Sequence, residues 1–297
     1  MDLKSLKVAF REDSDQLVSL QKQLGFDYVS DGQFSLAWQD FLRPITDGVH
    51  GVRKGALVRW YNTNTFYYTP IIKAEIRSDG DAVMRRIEKR HLNSGSSFKV
   101  ILPDPLTLAD LADDRFYGNK EKLLFAFADN VLREEVSRLS KSGVKYIQFS
   151  SPSLVARFRD APLSRDELKQ AGEAVGASLR GSSVRSGFHT FFGDASPYIP
   201  WIFDSIPTDD IGFDFSQTDP ESLSPSKKGI IAGVADARSS YLESIGEMER
   251  KVRVIVERTN SRVITISPSS DLRYIPRVVA DAKLKRLSKL REKLENN

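Results

Sequence analysis

Gly229-Ile230-Ile231-Ala232-Gly233-Val234 runs directly into Ala235-Asp236-Ala237-Arg238, and a helical pattern follows over residues 244–258. A short apolar run with β-branched residues, closed by a polar loop, reads as a strand. The same unit recurs on either side of it. Phe98-Lys99-Val100-Ile101-Leu102, Tyr146-Ile147-Gln148-Phe149, Ile211-Gly212-Phe213-Asp214-Phe215 and Val263-Ile264-Thr265-Ile266 are short, β-branched or aromatic, and bounded by Pro, Ser, Asp or Gly. Amphipathic stretches lie over 121–141, 165–179, 244–258 and 275–293. In the first, Leu124, Phe127, Ala128, Val131 and Leu139 repeat near the helical period and Gly143 supplies a stop. Weaker strands at 27–30, 67–76 and 184–189 bring the count to eight, which predicts a (β/α)8 TIM barrel forming a single domain over residues 1–297.

Composition narrows the chemistry. The chain has 297 residues, 40% of them hydrophobic and 28% charged, which excludes disordered and fibrous classes. It contains no cysteine, so disulfides, thiolate nucleophiles, Fe–S clusters and thiolate zinc sites are excluded. The opening MDLKSLKVAFREDSD is charged where a signal peptide is apolar, and no apolar run approaches a membrane span, so a cytoplasmic protein without a membrane partner is expected. The net charge of +4 comes from 44 basic and 40 acidic residues, a mixed surface that does not call for a nucleic-acid partner. The basic stretch 283–291 carries leucines at 284, 287 and 290 on one helical face, and is expected to be a last helix with a solvated basic side.

In a barrel of this kind the loops after the strands carry the chemistry. His189 is the only histidine at a predicted strand end and reads as a hydrogen-bonded barrel residue rather than a ligand. Asp236 with Arg238 reads as a structural ion pair. Ser150, Ser151, Ser269 and Ser270 have no candidate base nearby in sequence, which disfavours a hydrolase. No Gly-rich phosphate loop follows any strand. Trp60, Asn62 and Asn64 form a dense polar and aromatic patch that either lines a cleft or holds its own loop through side-chain to backbone bonds.

Taken in order, these strand ends resemble the cobalamin-independent methionine synthase family, whose members are built from two barrels. Against the zinc-bearing C-terminal barrel the ligand positions differ. The H-x-C pair is His189-Thr190-Phe191, the Glu position is Asp214, the last Cys position is Ser270, and the catalytic His falls at Arg238. Against the zinc-free N-terminal barrel the agreement is closer. K-W-F-D-T-N-Y-H-Y is similar to Arg59-Trp60-Tyr61-Asn62-Thr63-Asn64-Thr65-Phe66-Tyr67, and T-Y-F-G to Thr190-Phe191-Phe192-Gly193. G-V-x-x-G-R-N resembles Gly233-Val234-Ala235-Asp236-Ala237-Arg238-Ser239, and P-S-x-S-L-L-H-V-P resembles Pro268-Ser269-Ser270-Asp271-Leu272-Arg273-Tyr274-Ile275-Pro276.

The resemblance implies a role in methionine biosynthesis as a free-standing N-terminal-type half. Arg59, with Trp60, Asn62 and Asn64, is then expected to contribute to binding of the methyl-folate, whose polyglutamate tail is anionic. His189, Asp214, Asp236 and Arg238 are candidates at the barrel mouth. No metal or cofactor is expected on this chain, because two remaining ligands fall short of a zinc site. The zinc is expected on a separate C-terminal-type barrel acting as partner. The alternative is a stand-alone binding protein for folate or another anionic metabolite, without methyltransferase activity.

Overall fold

The computed structural model describes residues 3–33, 42–92, 97–155, 163–199 and 201–296. Its strands are β1 (Tyr28–Val29), β2 (His50–Arg59), β3 (Phe66–Arg77), β4 (Ser97–Pro103), β5 (Asp113–Asp114), β6 (Tyr146–Ser150), β7 (Arg185–His189), β8 (Asp210–Asp214), β9 (Gly229–Ala235) and β10 (Ile264–Pro268). Its helices are α1 (Leu3–Gln23), α2 (Arg43–Gly48), α3 (Pro105–Leu111), α4 (Lys120–Phe127), α5 (Arg133–Lys141), α6 (Pro152–Val155), α7 (Arg165–Leu179), α8 (Trp201–Ser205), α9 (Ile245–Thr259) and α10 (Arg277–Glu295). Seven strands are hydrogen-bonded in the order β1-β4-β6-β7-β8-β9-β10, an α/β arrangement in which β1 runs parallel to β4, and β7, β8, β9 and β10 run parallel to their neighbours. The chain divides into two compact units, Met1–Gln148 with Ala174–Arg185, and Phe149–Glu173 with Ser186–Asn297.

In the first unit the expected eighth barrel strand has another role. The run predicted at 67–76 lies in β3, which pairs antiparallel with β2 and parallel with the short β5 in a separate three-stranded sheet. The expectation of eight strands in one parallel sheet is therefore corrected to seven among the described residues. The reason is β2, whose sequence His50-Gly51-Val52-Arg53-Lys54-Gly55-Ala56-Leu57-Val58-Arg59 has no apolar run and is exposed or half-buried throughout, so it gives no strand signal. Gly51 has φ +80°, and a Cβ there would lie 2.5 Å from the Glu75 carbonyl oxygen, so the register shift between His50 and Val52, at the end of the hairpin away from its turn, requires glycine.

The helix expected over 121–141 is observed as α4 and α5 joined by a π turn, Ala128–Leu132. Within that turn the Asn130 carbonyl accepts the Ser78 N–H at 2.9 Å, a bond from outside the helix that goes with the widened turn. One turn later Glu135 is fully buried and accepts the Ala82 and Val83 N–H groups, both at 3.0 Å. A carboxylate in the core is held there by backbone donors.

In the second unit β8 and β9 are buried at every residue, β9 as an unbroken apolar run and β8 with a buried aspartate at each end. Helix α9 begins in a capping box between Ser244 and Glu247 and ends on Asn260 in the left-handed conformation. Helix α10 corrects an expectation about its charges. Lys283 is not solvated but fully buried, on the same face as Ala280, Leu284, Leu287 and Leu290. Among the described residues no helix is long and apolar enough to cross a membrane.

Candidate binding site at the strand ends

In the first unit, the Arg59–Tyr67 stretch is the turn of the β2–β3 hairpin, with Arg59 opposite Phe66. Thr63 holds it together: its Oγ1 donates to the Trp60 carbonyl at 2.6 Å and accepts the Thr65 N–H at 3.2 Å. The Trp60 N–H donates to the Thr65 carbonyl at 2.9 Å, and Tyr61 takes φ +47°. The Trp60 ring is buried edge-on to Tyr61 and Tyr67, at 4.9 and 5.8 Å. Arg59, Asn62 and Asn64 are exposed. The loop is therefore held by a threonine, while Asn62 and Asn64, for which the sequence left a cleft role and a loop-holding role open, are exposed. In the same unit Asp31 is buried at the end of β1 and accepts the Gln33 and Glu88 N–H groups, at 3.0 and 2.9 Å, while burial pushes its carboxyl above the ordinary range.

The second unit brings together His189, Asp214, Asp236 and Arg238. His189 ends β7 with its ring lying over Gly212, where a Cβ would come within 2.7 Å of the imidazole Cδ2. The ring stands edge-on to Phe191 at 5.9 Å, Phe191 to Phe192 at 4.7 Å, and Phe192 to Tyr274 at 5.5 Å. Phe192 is itself at φ +74°, and the Arg238 guanidinium lies 5.3 Å over its ring. Asp214 ends β8 and is 1% exposed. Its Oδ1 accepts the Ser216 N–H and hydroxyl, whereas its Oδ2 is buried without a partner. Burial pushes the Asp214 carboxyl up, against the opposing pull of the Ser216 hydrogen bonds and the Arg238 charge, and Asp236 pushes the same way as burial.

Asp236 and Arg238 form no side-chain ion pair among the described residues, contrary to the sequence reading. They are joined instead by an Asx turn, the Arg238 N–H donating to Asp236 Oδ1 at 2.8 Å. This leaves Arg238 Nε buried without a partner. The hydroxyls of Ser151, after β6, and Ser270, after β10, are likewise buried and unpartnered. Ser269 is engaged, accepting the Ala237 N–H at 3.0 Å. The strand ends of this unit therefore carry an acceptor, a donor and two hydroxyls with bonding capacity to spare, beside an aromatic wall. Buried polar groups normally find partners, which makes these four side chains the candidates for contact with a small polar ligand.

Residues 40–260 match the family described as cobalamin-independent synthase, N-terminal domain. The chain belongs to that family. Among similar curated proteins are the methionine synthases of Sulfurisphaera tokodaii, 23% identical over 92% of this chain and 79% of that one, and of Saccharolobus solfataricus, 23% identical over 96% and 84%. Similar solved structures include a B12-independent methionine synthase from Shewanella sp. W3-18-1 in complex with selenomethionine, with TM-score 0.77, 19% identity, and 100% of this chain and 90% of that one covered. A putative vitamin-B12-independent methionine synthase from Listeria monocytogenes follows with TM-score 0.74, 13% identity, and 99% and 89% covered.

Membership in the cobalamin-independent synthase family raises the question of zinc, and the residues of this chain do not fit it. There is no cysteine, and among the described residues no three or more His, Asp or Glu side chains gather to hold a metal. The family-like glycines have direct packing reasons. A Cβ on Gly193 would lie 2.6 Å from the Val155 carbonyl oxygen, and one on Gly233 would lie 2.5 Å from the Phe213 carbonyl oxygen. Sequence reasoning missed Glu243, which accepts the Asp236 N–H at 2.8 Å, and Lys283, whose Nζ donates to Glu243 at 2.7 Å. Lys283 stands three and four residues from Ala280 and Leu287, a spacing that places it on the apolar face.

Proposed function

We propose that this chain works in methionine biosynthesis, in the cytoplasm, as the non-metal half of a two-chain cobalamin-independent methionine synthase. It contributes to binding the methyl donor, a methyl-folate, and acts with a separate zinc-bearing C-terminal-type barrel that methylates homocysteine. Zinc on that partner would supply the thiolate nucleophile. That the two compact units act as one domain is part of the same reading.

The observation that carries the proposal is the set of unpartnered buried atoms on Asp214, Arg238, Ser151 and Ser270. These suit a ligand with both N–H donors and anionic or carbonyl acceptors, and methyl-folate has both. Arg59, exposed at the hairpin turn, suits the polyglutamate tail, because a guanidinium keeps its charge and pairs two carboxylate oxygens.

The test is methyl transfer from methyltetrahydrofolate triglutamate to homocysteine by this chain alone, by a zinc-bearing family barrel from the same cell alone, and by the two mixed. Activity gained only in the mixture, with the two co-eluting on sizing, is the expected result. No stimulation and no complex at micromolar concentration would overturn it. Folate binding without the partner would then point to the stand-alone binding protein.

A further inference from the structure

We infer that Lys283, on the last helix, is a positioning residue for the Asp236–Arg238 turn at the strand-end site. Its side chain is 0% exposed, and its ammonium is used completely by the β9–α9 loop. Nζ donates to Glu243 Oε1 at 2.9 Å, to Glu243 Oε2 at 2.7 Å and to the Tyr241 carbonyl at 2.5 Å. Arg286, one turn further along α10, donates to the Glu243 carbonyl at 2.6 Å. Glu243 Oε1 also accepts the Asp236 N–H at 2.8 Å, and Asp236 Oδ1 in turn accepts the Arg238 N–H at 2.8 Å. A continuous run of hydrogen bonds thus leads from a buried ammonium to the backbone of the residue whose guanidinium lies over Phe192.

Two physical arguments make this a positioning role rather than a stabilising one alone. Removing an ion pair from water costs much of what its attraction returns, so a buried pair is weak evidence of stability and is better explained by the geometry it fixes. A pair of well-packed apolar residues would hold α10 against the loop equally well, but would leave the Asp236 N–H and Tyr241 carbonyl without partners, and so would not hold the turn. The inference concerns how Arg238 is held, and it stands whether or not the methyl-donor reading does.

The test compares the wild-type chain with the double variant Lys283→Met/Glu243→Leu, which removes both charges together. Two quantities are read without ligand: the thermal midpoint, and the exchange with water of the Arg238 Nε–H and backbone N–H, followed by NMR. The Arg238 signal is assigned from its absence in Arg238→Lys. The expected result is a midpoint within about 5 °C of wild type together with Arg238 exchange faster by about tenfold or more. Unchanged Arg238 exchange in the folded double variant would overturn the inference and leave the pair a purely stabilising one. Should the double variant fail to fold, Glu243→Gln, which keeps the volume and an acceptor oxygen, is read in the same way. There, exchange faster by about threefold supports the inference and unchanged exchange overturns it.

Discussion

Two turns that carry family-like sequence are built in opposite ways. The hairpin turn at Arg59–Tyr67 engages the Trp60 carbonyl and the Thr65 N–H through Thr63, and presents Arg59, Asn62 and Asn64 to solvent. The strand ends of the second unit bury their polar groups and leave Asp214 Oδ2, Arg238 Nε and the Ser151 and Ser270 hydroxyls without partners. A surface turn can be rigid because water satisfies whatever it leaves over. A buried cluster left unsatisfied is costly, and it persists only where the surrounding packing fixes it. Substitutions at the first should therefore act locally, and at the second on the whole fold.

The largest expected effect is at the strand ends. In Gly233→Ala the new Cβ would meet backbone on both sides of β9, the Phe213 carbonyl oxygen of β8 at 2.5 Å and the Cα of Ser269, just after β10, at 2.8 Å. Neither can retreat as a side-chain tip would, so denaturant titration should show a loss of about 3 kcal/mol or more. Gly246→Ala, with nothing within 4 Å of the new Cβ, is the control and should be neutral or mildly stabilising. Equal effects from the two would break the comparison.

Next comes the hairpin. Thr63→Val keeps the shape of the side chain and removes its hydroxyl, leaving the Trp60 carbonyl and Thr65 N–H short of a partner. A loss of about 1–2 kcal/mol is expected, with faster amide exchange confined to the hairpin residues. Faster exchange spread through the second unit would contradict the local character claimed for this turn.

A smaller effect, with a definite pH dependence, is expected at Asp214. Burial raises its folded-state pKa above the unfolded value, so the folded chain holds a proton that the unfolded chain has already released. Stability is then fully present at low pH, and falls as pH rises from the ordinary carboxylate value through the raised one. Asp214→Asn keeps the acceptor for Ser216 and removes the charge. Its thermal midpoint should match wild type below that window and exceed it by about 2–4 °C above it. A variant less stable than wild type at pH 8 would show that Arg238 outweighs burial. The smallest stability effect belongs to Arg59→Ala, within about 0.5 kcal/mol of wild type, while calorimetry with the folate triglutamate should show weaker binding. Unchanged affinity would remove Arg59 from the donor site.

The helices at 165–179, 244–258 and 275–293 were legible because amphipathic periodicity and caps such as Ser244 are local signals. So were β8 and β9, whose apolar runs have no other use. β2 was not legible, because a hairpin strand exposed along its length has no hydrophobic pattern, and its omission let β3 be counted into the wrong sheet. At the candidate site, His189, Asp214, Asp236 and Arg238 were found from their places after strands. Their relations were not, since the Asx turn that replaces the Asp236–Arg238 ion pair depends on Glu243 and Lys283, and Lys283 lies over 40 residues further along the chain.

The sequence by itself determined the alternation of strands and helices, the absence of thiolate chemistry and the family to which the chain belongs, because these rest on periodicity, composition and ordered motifs. Only the tertiary structure decided that the eighth expected strand forms a hairpin in a second sheet. Only it decided that the lysine on the last helix is buried against a distant loop, and which polar atoms at the strand ends remain unpartnered. Burial and hydrogen-bond satisfaction are properties of neighbours in space, and no local pattern in the chain encodes them.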